Sequence, residues 1–375
     1  DFNSGRPLRI GYVSSDFGYH AVGNFITPIL KAHNRKKFNL TGYYNYDSPD
    51  PKTEKIKSLF DEWRDIHQLN SEEVCNLIVR DKIDILIDLN GHTALNSLEI
   101  FSMKPAPLQV SWLGYPNTTG LKQIDFIVGD EIVDPSELGT NYIGRSKPLR
   151  LTHGYHCYHQ DAEIEVADLP AEKNGFITFG SFNALTKLSN KTIELWSSVL
   201  NAVPHSKLLL KRSPLNEEPV RRKLLSRFQD AGVEVDRIAL EWEMNSTADH
   251  LAKYKNVDIA LDSYPYSGTT TTCDALWMGV PVVSLCGENR SSRVSASILY
   301  QIGKSEWVAD SEASFVRISK DICKSIEGLK DARRSLRNKI IKSSLYQENI
   351  VSKNLEEVLQ SEWWRLCREK DNLPG

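Results

Sequence analysis

The 375-residue chain has a formal net charge of −3, with 40% hydrophobic and 25% charged residues, enough apolar material for two separate cores and too balanced a composition for a disordered chain. Near-neutral charge gives no general reason to expect a nucleic-acid partner, no apolar run approaches the roughly 20 residues that span a bilayer, and the polar start DFNSGRPLRI lacks a signal-peptide pattern, so a cytoplasmic protein without membrane attachment is expected. Six cysteines at wide, irregular spacings with no C-x-x-C argue against a disulfide framework or zinc knuckle, and the absence of an initial methionine suggests a processed or partial chain.

In chain order, short β-rich runs alternate with amphipathic stretches. LRIGYVSS (8–15), FNLTGYYN (38–45), IDILIDL (83–89), PLQVSWLG (107–114) and IDFIVGD (124–130) are separated by segments of helical period such as SEEVCNLIVRD (71–81). This alternation predicts a parallel sheet flanked by helices. The pattern weakens between about 131 and 174, where Pro135, Pro148 and Pro170 fall in an acidic stretch. A second series follows: GFITFGSF (175–182), SKLLLKR (206–212), RIALEW (237–242), VDIALDSY (257–264) and VPVVSL (280–285). Two Rossmann-like halves are the simplest architecture: 1–150, a linker over 151–174, and 175–311. The helical tail 312–375 is expected to pack across both halves. No repeat of 20 to 50 residues marks the chain itself as a solenoid.

The segment SYPYSGTTTTCDALWMGVPVVSL (263–285) places four threonines between a buried strand and an apolar helix. After the Pro/Gly turn, Thr269–Thr272 fall in the first turn of that helix and Gly279 fits its end. The C-terminal ends of strands in open α/β sheets are where ligands bind, since free N–H groups and the positive end of the helix dipole point there. Hydroxyls add neutral donors of the kind a diphosphate needs, and Gly268 allows close backbone approach. The plainer reading is one ordinary N-cap threonine with the others filling surface. Neither a Walker loop nor a G-x-G-x-x-G fingerprint is present. No D-x-D pair is available to hold a divalent ion on a nucleotide diphosphate, so no metal and no cofactor are expected and the phosphates fall to the helix start, the threonines and a basic residue.

SSDFGYHAVGNF (14–25), NGHT (90–93), PAPLQVSWLGYPNTTG (105–120), TFGSFNALTKLS (178–189), GTTTTCDALWMGVPVV (268–283) and SRVSASIL (292–299) resemble, in order, the catalytic region of the O-GlcNAc transferase and SPINDLY family. The resemblance extends over about residues 6–370. It implies an α/β GT-B fold of two Rossmann-like domains facing a cleft, the first half serving the acceptor and the second the nucleotide sugar. It also implies a metal-independent, inverting transfer to Ser or Thr hydroxyls of intracellular proteins. Family members usually carry tetratricopeptide repeats before this region, and such repeats are expected upstream.

Lys187, in FNALTK, matches the family's essential lysine, which implies stabilisation of the leaving diphosphate; the alternative is a solvated surface lysine. Thr269, Thr270 and Thr271 match the segment that contacts the diphosphate and sugar, Asp274 a residue on the ribose, and His250 a histidine that packs on the base. Leu113 and Gly114 match the loop under the donor sugar, where a larger side chain at 114 would intrude. His20 matches a histidine facing donor and acceptor. An imidazole with a pKa of about 6.5 suits general-base work, and orienting the sugar or acceptor is the alternative; Asp16 is a nearby carboxylate that could share the task.

LTHGYHCYHQ sets His153, His156 and His159 around Cys157 at spacings open to zinc, but Gly154 and the tyrosines do not suggest one helical face, and structural or surface roles are expected. RSPLNEEPVRRK (212–223) reads as a solvated helix face. Thr269 replaces the histidine of animal O-GlcNAc transferases, and the motif style is closer to bacterial or SPINDLY-like members. UDP-GlcNAc is the leading donor and GDP-fucose the alternative. A catalytically silent nucleotide-sugar-binding module and a GT-B sugar epimerase share the same architecture.

Overall fold

A computed structural model describes residues 6–138, 146–243 and 246–371. The chain divides into two compact units, one of residues 1–159 with 344–375 and the other of residues 160–343.

The first unit holds seven strands: β1 (Leu8–Ser14), β2 (Phe38–Tyr44), β3 (Glu62–Asp65), β4 (Ile85–Asp88), β5 (Leu108–Ser111), β6 (Phe126–Asp130) and β7 (Lys147–Leu151). They pair in parallel in the order β3-β2-β1-β4-β5-β6-β7. Parallel pairing needs crossover helices, which cover both faces, and this is why the central strands read as continuous apolar runs. Strand alternation sorts their side chains: Ile85 and Ile87 enter one core cluster with Ile10, Leu40 and Val110, whereas Leu86 enters another with Val13, Tyr43 and Phe101.

The second unit repeats the design with β8 (Thr178–Ser181), β9 (Lys207–Lys211), β10 (Ile238–Glu241), β11 (Ile259–Leu261), β12 (Val282–Leu285) and β13 (Val308–Ala309), in the parallel order β10-β9-β8-β11-β12-β13. In each unit the strand order reverses beside the first strand, between β1 and β4 and between β8 and β11. The crevice outside those strand ends is where a doubly wound sheet binds its ligand.

Three strands lie outside the runs predicted from sequence. β3 is the short charged edge EWRD, β7 is the edge strand KPLRL with Pro148 inside it, and β13 has only two residues. Each lies at the margin of its sheet, where proline and charge are tolerated and the apolar signal fades. The helical tail divides: Glu312–Cys323 and Ile326–Lys342 belong to the second unit, Phe315 and Leu329 entering its core, while Glu348–Asp371 belongs to the first, contributing Val351, Leu355, Leu359, Trp363 and Cys367. That last helix is anchored through a buried relay in which the Tyr12 hydroxyl lies 2.8 Å from His33 Nε2 and His33 Nδ1 lies 2.8 Å from Glu356 Oε1.

Candidate functional site

In the second unit, the segment after β11 folds around one carboxylate. Asp262 Oδ1 accepts from the amides of Ser263 (2.9 Å) and Gly268 (2.7 Å) and from Asn183 Nδ2 (3.3 Å), and Oδ2 accepts from the Ser284 hydroxyl (2.7 Å). The Gly268 amide is therefore spent on Asp262. Its missing side chain has an internal use, since a Cβ would lie 2.4 Å from Thr272 Oγ1 and 2.8 Å from Thr271 Oγ1.

The four threonines separate into roles at the start of the helix Thr270–Trp277. Thr272 is buried, its hydroxyl 2.8 Å from that of Ser295, which in turn donates to the Gly268 carbonyl (2.9 Å). Thr271 donates to Asn183 Oδ1 at 2.6 Å. Thr269 occupies the N-cap position without capping the helix by its side chain. Thr269 and Thr270 are half-buried, and their hydroxyls make no hydrogen bond among the described residues. Without a side-chain cap, the first-turn amides keep the donor character that attracts anions.

Lys187 sits in the short 3₁₀ turn Leu185–Lys187 after β8. Its ammonium donates to the Ser267 carbonyl (2.8 Å) and lies 4.0 Å from the centre of the Tyr266 ring, within the loop that leads to the threonines. Enclosure pushes its pKa down to about 8, against the pull of Asp262 and with a further push from Arg212. An enclosed lysine facing a carbonyl and a ring, rather than a carboxylate, is a cation held ready for an anion.

A second cluster completes this crevice. His250 lies on the helix Thr247–Ala252 with its side chain 12% exposed; Nδ1 is 3.1 Å from Lys211 Nζ, and Nε2 is 3.7 Å from Asp274 Oδ2. Its ring meets those of Phe182 and Tyr254 edge-on, at 5.6 and 5.9 Å between centroids. The Tyr254 hydroxyl donates to the Thr271 carbonyl (3.2 Å), tying this cluster to the threonine turn. Burial pushes the pKa of Lys211 down, with Arg212 adding to the effect. Thus Lys187, the threonines, Asp274, His250 and Gly268 gather in one unit.

In the first unit, His20 is the N-cap of the helix Ala21–Ala32: Nδ1 accepts from the Val22 amide at 3.3 Å and lies 3.5 Å from Asp16 Oδ2, with the side chain half exposed. Asp16 is held by Asn90, whose Nδ2 donates to Asp16 Oδ2 (2.9 Å) and Ser15 Oγ (2.8 Å). The Asn90 loop is itself gripped by Asp88, fully buried at the end of β4, which accepts from the amides of Asn90 and Gly91 and from the Ser111 hydroxyl. Burial raises the Asp88 pKa, and those three donors oppose the rise.

Leu113 and Gly114 follow β5 beside this network. Leu113 has φ +62°, a left-handed conformation uncommon for leucine. A Cβ on Gly114 would lie 2.0 Å from the Leu89 carbonyl oxygen, so glycine is required here by the close approach of two loops within the unit. Gly114→Ala is expected to destabilise the protein by about 1–3 kcal/mol, the usual cost of overpacking, read as a lower thermal unfolding midpoint.

The histidine-rich stretch separates as well. His156 is buried against Phe25, with ring centroids 5.1 Å apart, and His159 stacks on Tyr346 at 4.2 Å. Among the described residues, no three His, Cys, Asp or Glu side chains form a group that could hold a metal ion.

The glycosyl transferase family 41 model matches residues 1–156 and 166–355. The chain belongs to glycosyl transferase family 41. It is 38% identical over 367 residues to a Hordeum vulgare protein named "Probable UDP-N-acetylglucosamine--peptide N-acetylglucosaminyltransferase SPINDLY", covering 96% of this chain and 39% of that protein. An Arabidopsis thaliana protein of the same name type, designated SEC, is 34% identical over 80% of this chain and 31% of its own length. The chain thus spans well under half the length of these curated relatives. A solved O-GlcNAc transferase mutant from Thermobaculum terrenum superimposes with a TM-score of 0.92 at 33% identity, covering 99% of this chain and 70% of that one. The fold is GT-B, and its helical C-terminal segment is present.

Several residues of this family 41 chain carry the site without being singled out by sequence reasoning. Asn183 and Asp262 stand just past β8 and β11, and Lys211 and Arg212 at the end of β9. Their common signal is position: polar residues immediately after buried apolar strands, at the C-terminal edge of a parallel sheet. By composition Arg212 falls in the basic, solvated stretch 212–223 that leads into the helix Glu218–Asp230. The structure corrects this: Arg212 continues β9, with its amide bonded to the Glu241 carbonyl (3.0 Å), and its guanidinium turns into the crevice charge cluster.

Proposed function

We propose that this protein is an inverting, metal-independent protein O-glycosyltransferase that moves a sugar, GlcNAc from UDP-GlcNAc in the leading reading, to Ser or Thr hydroxyls of polypeptide acceptors in the cytoplasm. The observation that carries the proposal is the enclosed Lys187 ammonium beside the uncapped start of Thr270–Trp277 with two unengaged threonine hydroxyls. That arrangement suits the diphosphate of a nucleotide sugar: amides and hydroxyls accommodate its oxygens, and the lysine offsets the charge that grows as the bond to the sugar breaks. His250 and Asp274 take the base and ribose. Peptide transfer from UDP-GlcNAc is supported by the names of the relatives.

In the reaction, the acceptor hydroxyl oxygen attacks the anomeric carbon, and the carbon–oxygen bond to the diphosphate breaks on the opposite face with its electron pair leaving on the diphosphate. The hydroxyl proton passes to a base, for which His20 Nε2 and the Asp16 carboxylate are the candidates. While Nδ1 of neutral His20 accepts from the Val22 amide, the ring hydrogen is on Nε2, and this favours an orienting, hydrogen-donating role. Base chemistry at Nε2 requires the other tautomer, with Nδ1–H directed at Asp16.

Thermal unfolding with UDP, GDP, UDP-GlcNAc and GDP-fucose tests the reading, since only a ligand that binds the folded state raises the midpoint. UDP and UDP-GlcNAc are expected to stabilise most. Stabilisation by GDP and GDP-fucose alone would replace the donor with GDP-fucose, and no shift with any of the four would overturn the nucleotide-sugar reading. Transfer to peptide is expected to survive EDTA. Incubation of donor without acceptor, followed by sugar analysis, separates the alternatives: an altered free sugar indicates an epimerase, and binding without turnover in either assay a silent module.

A further inference from the structure

Arg212 is a half-buried cation of the second unit whose guanidinium is left without a hydrogen-bond or ion-pair partner among the described residues. Its Nε is fully enclosed. Leaving a buried N–H unmet is costly, and buried arginines otherwise pair. Two others in the same unit show the contrast: Arg333 places Nε, Nη1 and Nη2 on the carbonyls of Ala167, Val257 and Tyr254, and Arg237 reaches those of Leu200, Val203 and Ser206.

The surroundings of Arg212 are those of the crevice. It interacts electrostatically with Lys187 on the side of the threonine loop and with Tyr254 and Asp274 on the side of His250. Lys211, its chain neighbour, is a third cation. Of the carboxylates nearby, Asp262 is occupied by four hydrogen bonds, Asp274 faces His250, and Glu241 pairs with Lys253 at 2.9 Å. Asp249, in the first turn of the helix Thr247–Ala252, pulls on Lys211 and Lys253. Three desolvated cations facing so little free negative charge call for an anion, and the planar guanidinium fork suits phosphate oxygens.

We propose that Arg212 binds the nucleoside-side phosphate of the donor, while Lys187, next to the threonine loop, serves the sugar-side phosphate that leaves. The inference rests on the reading that this unit binds a nucleotide sugar. It assigns the two cations different consequences: Arg212 holds a phosphate that is charged before and after reaction, whereas Lys187 meets charge that develops in it.

Calorimetric titration of the full chain with uridine, UMP and UDP, and with guanosine, GMP and GDP, tests this, with comparisons made in the series that binds wild type. Arg212→Met is expected to weaken mono- and diphosphate binding alike, by about 10- to 100-fold, and to leave the nucleoside unchanged. Lys187→Met is expected to weaken the diphosphate and spare the monophosphate. Arg212→Lys, which keeps the charge but loses the fork, should lose less than Arg212→Met. Because the Arg212 guanidinium makes no hydrogen bond or ion pair among the described residues, the unfolding midpoint of Arg212→Met without added nucleotide is expected to equal or exceed that of wild type; a merely structural arginine would lower it. Unchanged monophosphate affinity in Arg212→Met, or an equal loss of nucleoside affinity with a lowered midpoint, would overturn the assignment. If wild type binds neither series, the nucleotide-sugar reading itself fails, and this inference with it.

Discussion

Lys187→Ala is expected to lower sugar transfer at least about 100-fold while leaving the protein folded, because stabilising charge on a leaving group contributes several kcal/mol in a site shielded from water. Among the described residues, the enclosed ammonium donates to the Ser267 carbonyl and lies over the Tyr266 ring. Its pKa has a signed consequence. The folded value of about 8 lies below the ordinary lysine value of 10.5, so between those values the unfolded chain binds more protons. Keeping this lysine charged therefore costs stability in full below about pH 8, and the cost fades as pH rises towards 10.5. Removing it should leave ligand-free stability at pH 7 equal or higher. In the free wild-type protein the ammonium is lost above about pH 8, so kcat/KM for the donor is expected to fall there. Transfer by Lys187→Ala at the wild-type rate, with either candidate donor, would remove Lys187 from the reaction.

Replacing Thr269 and Thr270 together by valine is expected to weaken nucleotide-diphosphate binding by about 10- to 100-fold, at roughly 1–1.5 kcal/mol per hydrogen bond to a charged oxygen. These two hydroxyls make no hydrogen bond among the described residues, so the change deletes donors without breaking internal bonds. Thr271 and Thr272 serve as contrasts. Thr271→Val strips Asn183 Oδ1 of its donor, and Thr272→Val breaks a buried pair with Ser295, so both should act on folding stability as well. Titration calorimetry combined with thermal unfolding distinguishes the cases. Equal affinity of wild type and the Thr269/Thr270 variant would return the threonines to the role of helix start and filler.

The central strands of both sheets and the helix after the threonines are legible in the sequence because burial on both faces writes long apolar runs. The margins are not: EWRD and KPLRL look like loops, since an edge strand needs neither a continuous apolar pattern nor every amide. The same distinction holds in the candidate site. Lys187 and the threonines stand out through motif, but nothing local separates Thr271, turned inward onto Asn183, from Thr270, because the choice depends on a residue past β8, 88 positions away in the chain. Arg212 was hidden by its neighbours, a basic residue at a strand end being indistinguishable by composition from the basic helix that follows it.

The return of Glu348–Asp371 to the first unit bears on how the chain matures. A polypeptide leaving the ribosome completes the second unit, residues 160–343, as one uninterrupted piece, before the residues that finish the first have been made. Until Leu355, Leu359 and Trp363 arrive, the core beside the helix Ala21–Ala32 and β7 lacks one of its covering helices and His33 lacks Glu356. The first half to be synthesised is therefore the last to be finished, and its open apolar face is what quality control must shield during that interval.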